Sequence, residues 1–373
     1  MKWLRVREMV RKEFIQLFRD RKNRPLLILA PLIQLTVFGY VVTTDVRLVR
    51  VGLCDQSRTV ESRQLIDAFS KNATFRITHV VRRPEALNAL LLNRRVDVTV
   101  QIPADFSSRI RKGETAEVQI LADGSMSSMA AVRISYVITV LNRFNAQMIR
   151  EVHPHRIDYG ELEGRIRTWY NPNLDSQYFY VPAIVAFLVM LLTLLLTSMA
   201  IIREKEAGTM EQLIVTPLKP IELILGKTIP FILIALGQMG MVTLFAVAWF
   251  RIPLQGSLWL LFAASILFLL STLGIGLFIS TVSKTQQQAM MTNFFFILPF
   301  FMLSGFVFPV SNMPRVVQWL TYLNPLKYFL IIVRGIFLKG TGFSILWPQL
   351  AGLALIGGLV FFGAVMRFRK RMD

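Results

Sequence analysis

Long stretches without a charged side chain alternate along this chain with short basic ones. Pro25 to Thr43 carries no charge and is about long enough to cross a hydrocarbon core of roughly 30 Å. Further uncharged runs of 20 or more residues occupy Phe179 to Ile202, Thr228 to Phe250, Ile252 to Ser283, Thr285 to Val310 and Phe343 to Met366. Together they predict six membrane-spanning helices. Ahead of the first, Trp3, Val6, Val10, Phe14 and Leu17 recur at helical spacing, opposed by Arg5, Arg11, Lys12, Arg19 and Lys22. That pattern predicts an amphipathic helix within residues 1–24, lying on a membrane surface or packed on a partner.

The pattern changes over residues 45–178. VRLVRVGLC, FRITHVV, VDVTVQI and AEVQILA are rich in β-branched residues and predict strands, with helices predicted over VESRQLIDAFS and PEALNALLLNRR between them. Ala131, Ile134, Ile138, Leu141 and Phe144 mark a long helix from Ser127 to Glu151. This segment reads as a folded α/β domain inserted between the first two spans. From Pro309 to Phe343 an apolar stretch is interrupted by Pro314, Pro325, Gly340 and Gly342, with Trp319, Tyr322 and Tyr328 nearby, and predicts a broken or re-entrant segment on the external side.

Composition agrees with a membrane protein: 54% of the 373 residues are hydrophobic. The net charge of +19 sits beside the apolar runs rather than in one basic stripe with interleaved aromatics, which argues against nucleic-acid binding. Nine Lys and Arg in the first 24 residues, and Arg367, Arg369, Lys370 and Arg371 in the tail (367–373), place both termini in the cytoplasm. Six spans (25–44, then five within 179–366) then put 45–178 outside and the loop 203–227 inside. The first 24 residues are too long and too charged for the basic region of a cleaved signal peptide. The single cysteine, Cys54, reads as a packed thiol.

The predicted spans contain no Asp, Glu, His or Lys, the groups with which ion-coupled carriers bind and release their ion at membrane depth. The polar residues Gln34, Gln238 and Asn293 read more readily as amides joining helices than as substrate ligands. The pair in HPH, 153–155, lacks a third metal ligand at a telling spacing. GKT at 226–228 lacks the earlier P-loop glycine, since Ile221 stands there, and it opens an apolar run. No hydrolase elbow or zinc-protease signature is present either, so the chain is not read as an enzyme and holds no cofactor of its own. Work for active transport must come from another chain.

The loop REKEAGTMEQLIVTPLKPIE holds Glu204, Glu206, Glu211 and Glu222, and after Tyr178 the only other acid is Asp373. Gly208 and Thr209 predict a turn with a helix cap, MEQLIV a short helix carrying Glu211, Gln212 and Leu213, and Pro217 its end. The glutamates are expected to present a negative surface that registers a basic groove on a partner. A plainer alternative has them balancing Arg203, Lys205 and Lys219 in a solvated loop.

REKEAGTMEQLIVTPL resembles the cytoplasmic coupling segment of permease subunits of ABC-2 type exporters. WYNPNLDSQYFYVP, STVSKTQQQA, LSGFVFPVSNMP and YLNPLKYF resemble, in the same order, segments of the multidrug-efflux branch of that family, and the similarity covers almost the whole chain. The resemblance implies a six-span half-transporter that pairs with a second permease, identical or closely related, and with two cytoplasmic ATPases that hold ATP and Mg. It assigns Glu204, Gly208, Thr209, Glu211 and Leu213 to the coupling segment, and makes the N-terminal helix an interfacial helix that also meets the ATPase. Ala207 before the glycine and Met210 in place of a frequent leucine are small departures.

The fold class expected is therefore a polytopic α-helical membrane protein of six transmembrane helices, with an inserted external α/β domain and an N-terminal amphipathic interfacial helix. The function expected is outward movement of an amphipathic or hydrophobic, drug-like compound across a bacterial inner membrane. Its path is expected at a dimer interface, past Asn293, Phe294, Phe295 and Phe296, with the external domain covering the exit or meeting a periplasmic adaptor. Two alternatives stay open: a scaffold or sensor that does not transport, which would show no nucleotide dependence, and an ion-coupled carrier, which would stop when the proton gradient collapses.

Overall fold

The β-branched runs after residue 45 form strands where their composition predicts them. In the computed structural model, β1 (Val49–Asp55), β2 (Phe75–Val81), β3 (Val98–Ile102) and β4 (Gln119–Ala122) make one sheet in the order β2-β1-β3-β4. β1 runs parallel to β2 and β3, while β4 closes the edge antiparallel to β3. The structure describes residues 3–19, 23–42, 48–124, 127–152, 170–171, 175–208 and 220–369. The chain divides into two compact units, Thr44–Ile166 and Met1–Thr43 with Arg167–Asp373.

In the first unit α3 (Val60–Ser70) and α4 (Pro84–Leu92) follow β1 and β2, and α5 (Phe106–Lys112) precedes β4. The central strand is covered on both faces, as parallel strands are. Val49, Val51 and Leu53 share a core with Leu65 and Phe69 of α3 and with Val137, Val140 and Phe144 of α6 (Ser127–Val152). On the other face of β1 lie Gly52, where a Cβ would stand 3.3 Å from Val96 and 3.5 Å from Leu87, and the buried Cys54. Burial raises the Cys54 thiol pKa, as expected of a packed and unreactive sulfur. Thr59 caps α3, accepting from Ser62 N while Ser62 Oγ accepts from Thr59 N.

One buried carboxylate holds this unit together. Asp97 accepts from Arg50 N at 2.9 Å, Arg50 Nε at 3.0 Å and Arg50 Nη2 at 3.1 Å, and pairs with Arg133 Nη2 at 3.1 Å. Burial alone would raise its pKa; the hydrogen bonds from Arg50 and the charges of Arg133 and Arg50 outweigh burial and hold it below the usual carboxylate value.

The second unit is helical. Among the described residues four helices are long and apolar enough to cross a membrane: α7 (Ser176–Glu206), α8 (Pro220–Phe250), α9 (Leu258–Val282) and α13 (Phe343–Arg369). The other two predicted spans exist as shorter helices. In α2 (Asn23–Val41) the apolar part is Leu27–Val41, and α10 (Gln286–Met302) has 17 residues, about 26 Å at 1.5 Å per residue. The uncharged run continues to Val310, but the chain leaves the helix at Leu303 and turns through Gly305 in the left-handed region at φ +84°.

The broken segment is present between α10 and α13. α11 (Arg315–Thr321) meets the stretch formed by α12 (Pro325–Arg334) and a π-helical turn (Gly335–Lys339) at an 80° bend. Asn324 caps α12, its side chain accepting from Leu326 N at 3.0 Å, and Pro325 follows at the first helical position. The π turn explains why the run beginning at Ile252 turns helical only at Leu258. Its Ile336 and Phe337 carbonyls accept from Gly256 N at 2.9 Å and Gln255 N at 3.1 Å. A Cβ at Gly256 would lie 2.9 Å from Ile336 O, so the approach requires glycine.

Small residues set the helix spacing. A Cβ at Gly274 of α9 would meet the Phe361 backbone nitrogen of α13 at 2.8 Å, and one at Gly276 would meet Thr197 of α7 at 2.9 Å. Close backbone approach of this kind suits helices that associate in lipid, where burial of apolar surface drives little.

Candidate coupling site

The N-terminal helix, α1 (Trp3–Arg19), buries Val6, Met9, Glu13 and Leu17, spaced by three, four and four residues. This is not the predicted stripe: Trp3 stands 65% exposed, and a glutamate sits inside the buried face. Nor does α1 require another chain to pack on. Met9 clusters with Ile201 of α7, Leu223 and Ile224 of α8, Leu277 of α9 and Ala364 of α13. The seat is Gly226, where a Cβ would come within 2.8 Å of Met9 Cγ and Sδ. α1 is thereby clamped across one end of the long helices.

Glu13 makes that clamp ionic. Lys227 of α8, with its side chain only 2% exposed, donates from Nζ to Glu13 Oε1 at 3.2 Å and pairs with Glu204 Oε2 of α7. Lys12 adds a second cation on Glu204, at 3.3 Å. Arg5 approaches the buried Glu222 of α8 at 4.0 Å. Charges removed from water persist only when paired, and here three helices contribute to one pairing. Two expectations change. Charge-free runs predicted helices without buried ionisable groups, but α7 and α8 continue beyond those runs and carry Glu204, Glu222 and Lys227 with them. The negative surface is also absent at two of its four positions, since Glu204 and Glu222 are buried.

The end of α7 is tied to its other neighbours as well. Lys205 Nζ donates to Ser280 O of α9 at 2.6 Å. Glu206 accepts from Gln286 N at 2.8 Å and from the Gln286 side-chain amide, placing a carboxylate at the first turn of α10. Gly208 then leaves the helix in the left-handed region at φ +67°. Arg203 is half-buried in the last turn of α7. Thr209, Glu211, Gln212, Leu213 and Pro217, with the predicted MEQLIV helix, lie outside the described residues.

The four expected path residues do not share one surface. Asn293 is buried and donates from Nδ2 to Ser198 Oγ of α7 at 2.6 Å, the helix-joining role of an isolated amide. Phe294 and Phe295 are exposed, at 65% and 74%. Phe296 packs with Phe278 and Phe300. Among the described residues no group of His, Cys, Asp and Glu could hold a metal ion; His153 and His155 lie outside them.

Sequence reasoning missed Glu13, Lys12 and Lys227. The available signal was that Val6, Met9, Glu13 and Leu17 fit a helical stripe as well as the apolar set does, and that Lys227 is a lone cation after Gly226 at the mouth of an apolar run.

The ABC-2 family transporter profile matches residues 25–366. The chain is 32% identical over 364 residues to the probable multidrug ABC transporter permease YbhR of Escherichia coli K12, covering 98% of each chain. It is 32% identical over 379 residues to the probable multidrug ABC transporter permease YbhS of the same strain, covering 100% of this chain and 99% of the relative. With the inner membrane transport permease YhhJ of that strain the identity is 28%, over 96% and 95% of the two chains.

Proposed function

Because the chain belongs to the ABC-2 transporter family, we propose that it is the membrane permease subunit of an ATP-binding cassette exporter that moves amphipathic or hydrophobic, drug-like compounds outward across an inner membrane. ATP and Mg are held by separate cytoplasmic ATPase subunits, and a second permease, identical or related, completes the translocation unit. In this reading the chain crosses six times, both termini are cytoplasmic and the α/β unit is external, where a periplasmic adaptor could meet it.

The observation that carries this reading is the Glu13–Lys227–Glu204 cluster. Residues 207–219 connect α7 to α8, and the cluster joins the ends of those two helices to each other and to α1. A partner pressing on that connection, through Arg203, Glu206, Gly208 and the segment from Thr209 to Pro217, moves three helices at once. The names of the relatives support the drug-like cargo.

The test is isolation of the tagged chain from its own host membranes, followed by measurement of ATP hydrolysis and of cargo uptake into inverted vesicles. An ATPase should co-purify, and reversing Glu211 to Lys should lower cargo-stimulated hydrolysis several-fold. Export by the reconstituted chain alone, driven by a proton gradient, would overturn the proposal.

A further inference from the structure

The outward side of α1 carries a second structure that shares only Lys12 with the ionic clamp. An open groove of about 670 Å³ runs between α1 and the last turn of α7, lined by Arg11, Lys12, Arg19, Arg203, Glu8 and Ile15. Four cations face one carboxylate. Arg11 shares Glu8 at 3.9 Å and Lys12 leans on Glu204, whereas Arg19 and Arg203 have no acidic partner among the described residues. Ile15 in the groove is exposed, as are the apolar Trp3, Leu4 and Phe18 of the same helix.

The position of the groove at the helix ends narrows what can occupy it. Arg203 ends a helix long enough to cross a membrane, and α1 rests on the first turns of α8 and the last turns of α9 and α13. The cations therefore stand at headgroup level, with apolar side chains alongside. We propose that this groove binds the phosphate of an anionic phospholipid, with the guanidinium groups of Arg19 and Arg203 on the phosphate oxygens and the acyl chains against Ile15 and Phe18. An acidic protein segment would satisfy the cations but leave the apolar side chains uncovered. The inference rests on the chain being membrane-embedded; Arg203 also belongs to the coupling reading, so lipid binding and ATP hydrolysis are read separately.

The test uses the full-length chain in a neutral detergent, titrated with phosphatidylglycerol and with phosphatidylcholine of the same acyl chains, and bound lipid counted by native mass spectrometry. Phosphatidylglycerol should be retained preferentially. Loss of about fivefold per cation removed gives a roughly 25-fold weaker affinity for Arg19→Gln with Arg203→Gln. Arg19→Lys with Arg203→Lys should restore most of it, and Arg63→Gln with Arg82→Gln, on exposed α/β positions, should leave it unchanged. Equal retention of the two lipids, or unchanged retention in the glutamine pair, overturns the proposal. So does glycerol phosphate binding as tightly as the lipid, which would make this a soluble-anion site. Loss of a co-purifying ATPase with lipid affinity intact would assign the groove to an acidic protein face.

Discussion

Lys227 is the residue on which the membrane unit's charge balance turns. Replacing it by Met leaves Glu13 and Glu204 buried without their shared cation, a change that costs about 3–5 kcal/mol when buried pairs are broken. Lys227→Met should therefore lower the melting temperature in detergent, and adding Glu13→Gln should recover part of the loss; equal melting of Lys227→Met and the unaltered chain would contradict the pairing. Lys12→Ala, from a half-exposed side chain, should cost under about 1 kcal/mol. Asp97 makes a pH prediction. Its folded pKa lies below the unfolded value near about 3.9, so its contribution is complete above that value and is lost as pH falls through the folded pKa. Amide exchange in β1 and β3 should accelerate below about pH 4, and Asp97→Asn should cost about 2–4 kcal/mol near neutrality while flattening that acid limb. Some of this scale was legible in sequence: a lone cysteine as a packed thiol, a lone amide as a helix join. Glu13 was not, because apolar periodicity discards any charge that a partner helix neutralises.

At the scale of elements, strands were the most readable part. β2 is FRITHVV and α3 is VESRQLIDAFS, each as composition predicts, because β-branched residues and a Thr cap act locally. Ends of membrane helices were less readable. Charge-free runs mark where lipid solvates a helix, whereas backbone hydrogen bonding decides where it stops: α7 continues through Arg203 to Glu206, and α10 stops at Met302 although the apolar run goes on. The π turn is invisible to periodicity, since its carbonyls are satisfied by a loop some eighty residues earlier in the chain. A prediction follows from the seat of α1. Gly226→Leu places carbon where Met9 now lies and should lift the helix, seen as faster proteolysis within residues 3–19 with the α/β unit unaffected. Unchanged protection of α1 would show that the seat tolerates a side chain.

At the scale of the molecule, the sequence led from charge placement to orientation, and orientation can be measured. Cys54 is buried with its thiol pKa raised, so it forms a silent background for labelling. A membrane-impermeant maleimide applied to intact spheroplasts should label Val80→Cys, on an exposed strand position, and spare Lys284→Cys, in the α9–α10 turn, until the membrane is opened. Labelling of both from one side would remove the proposed arrangement of spans. What the sequence left unread was the ionic cluster of α1, α7 and α8. It read the acidic loop as a surface facing outward to a partner, yet Glu204 and Glu222 point inward and make α1 part of the membrane body.

The bonds between α7 and α10 reach further than their local energy. Glu206 holds Gln286 at one height, and Ser198 accepts from Asn293 about 12 Å away along the helix, at eight residues of 1.5 Å each. A rod pinned once can swivel; a rod pinned twice cannot. Tilting one of these helices against its neighbour therefore has to stretch or break one of the two contacts before a gap can open between them.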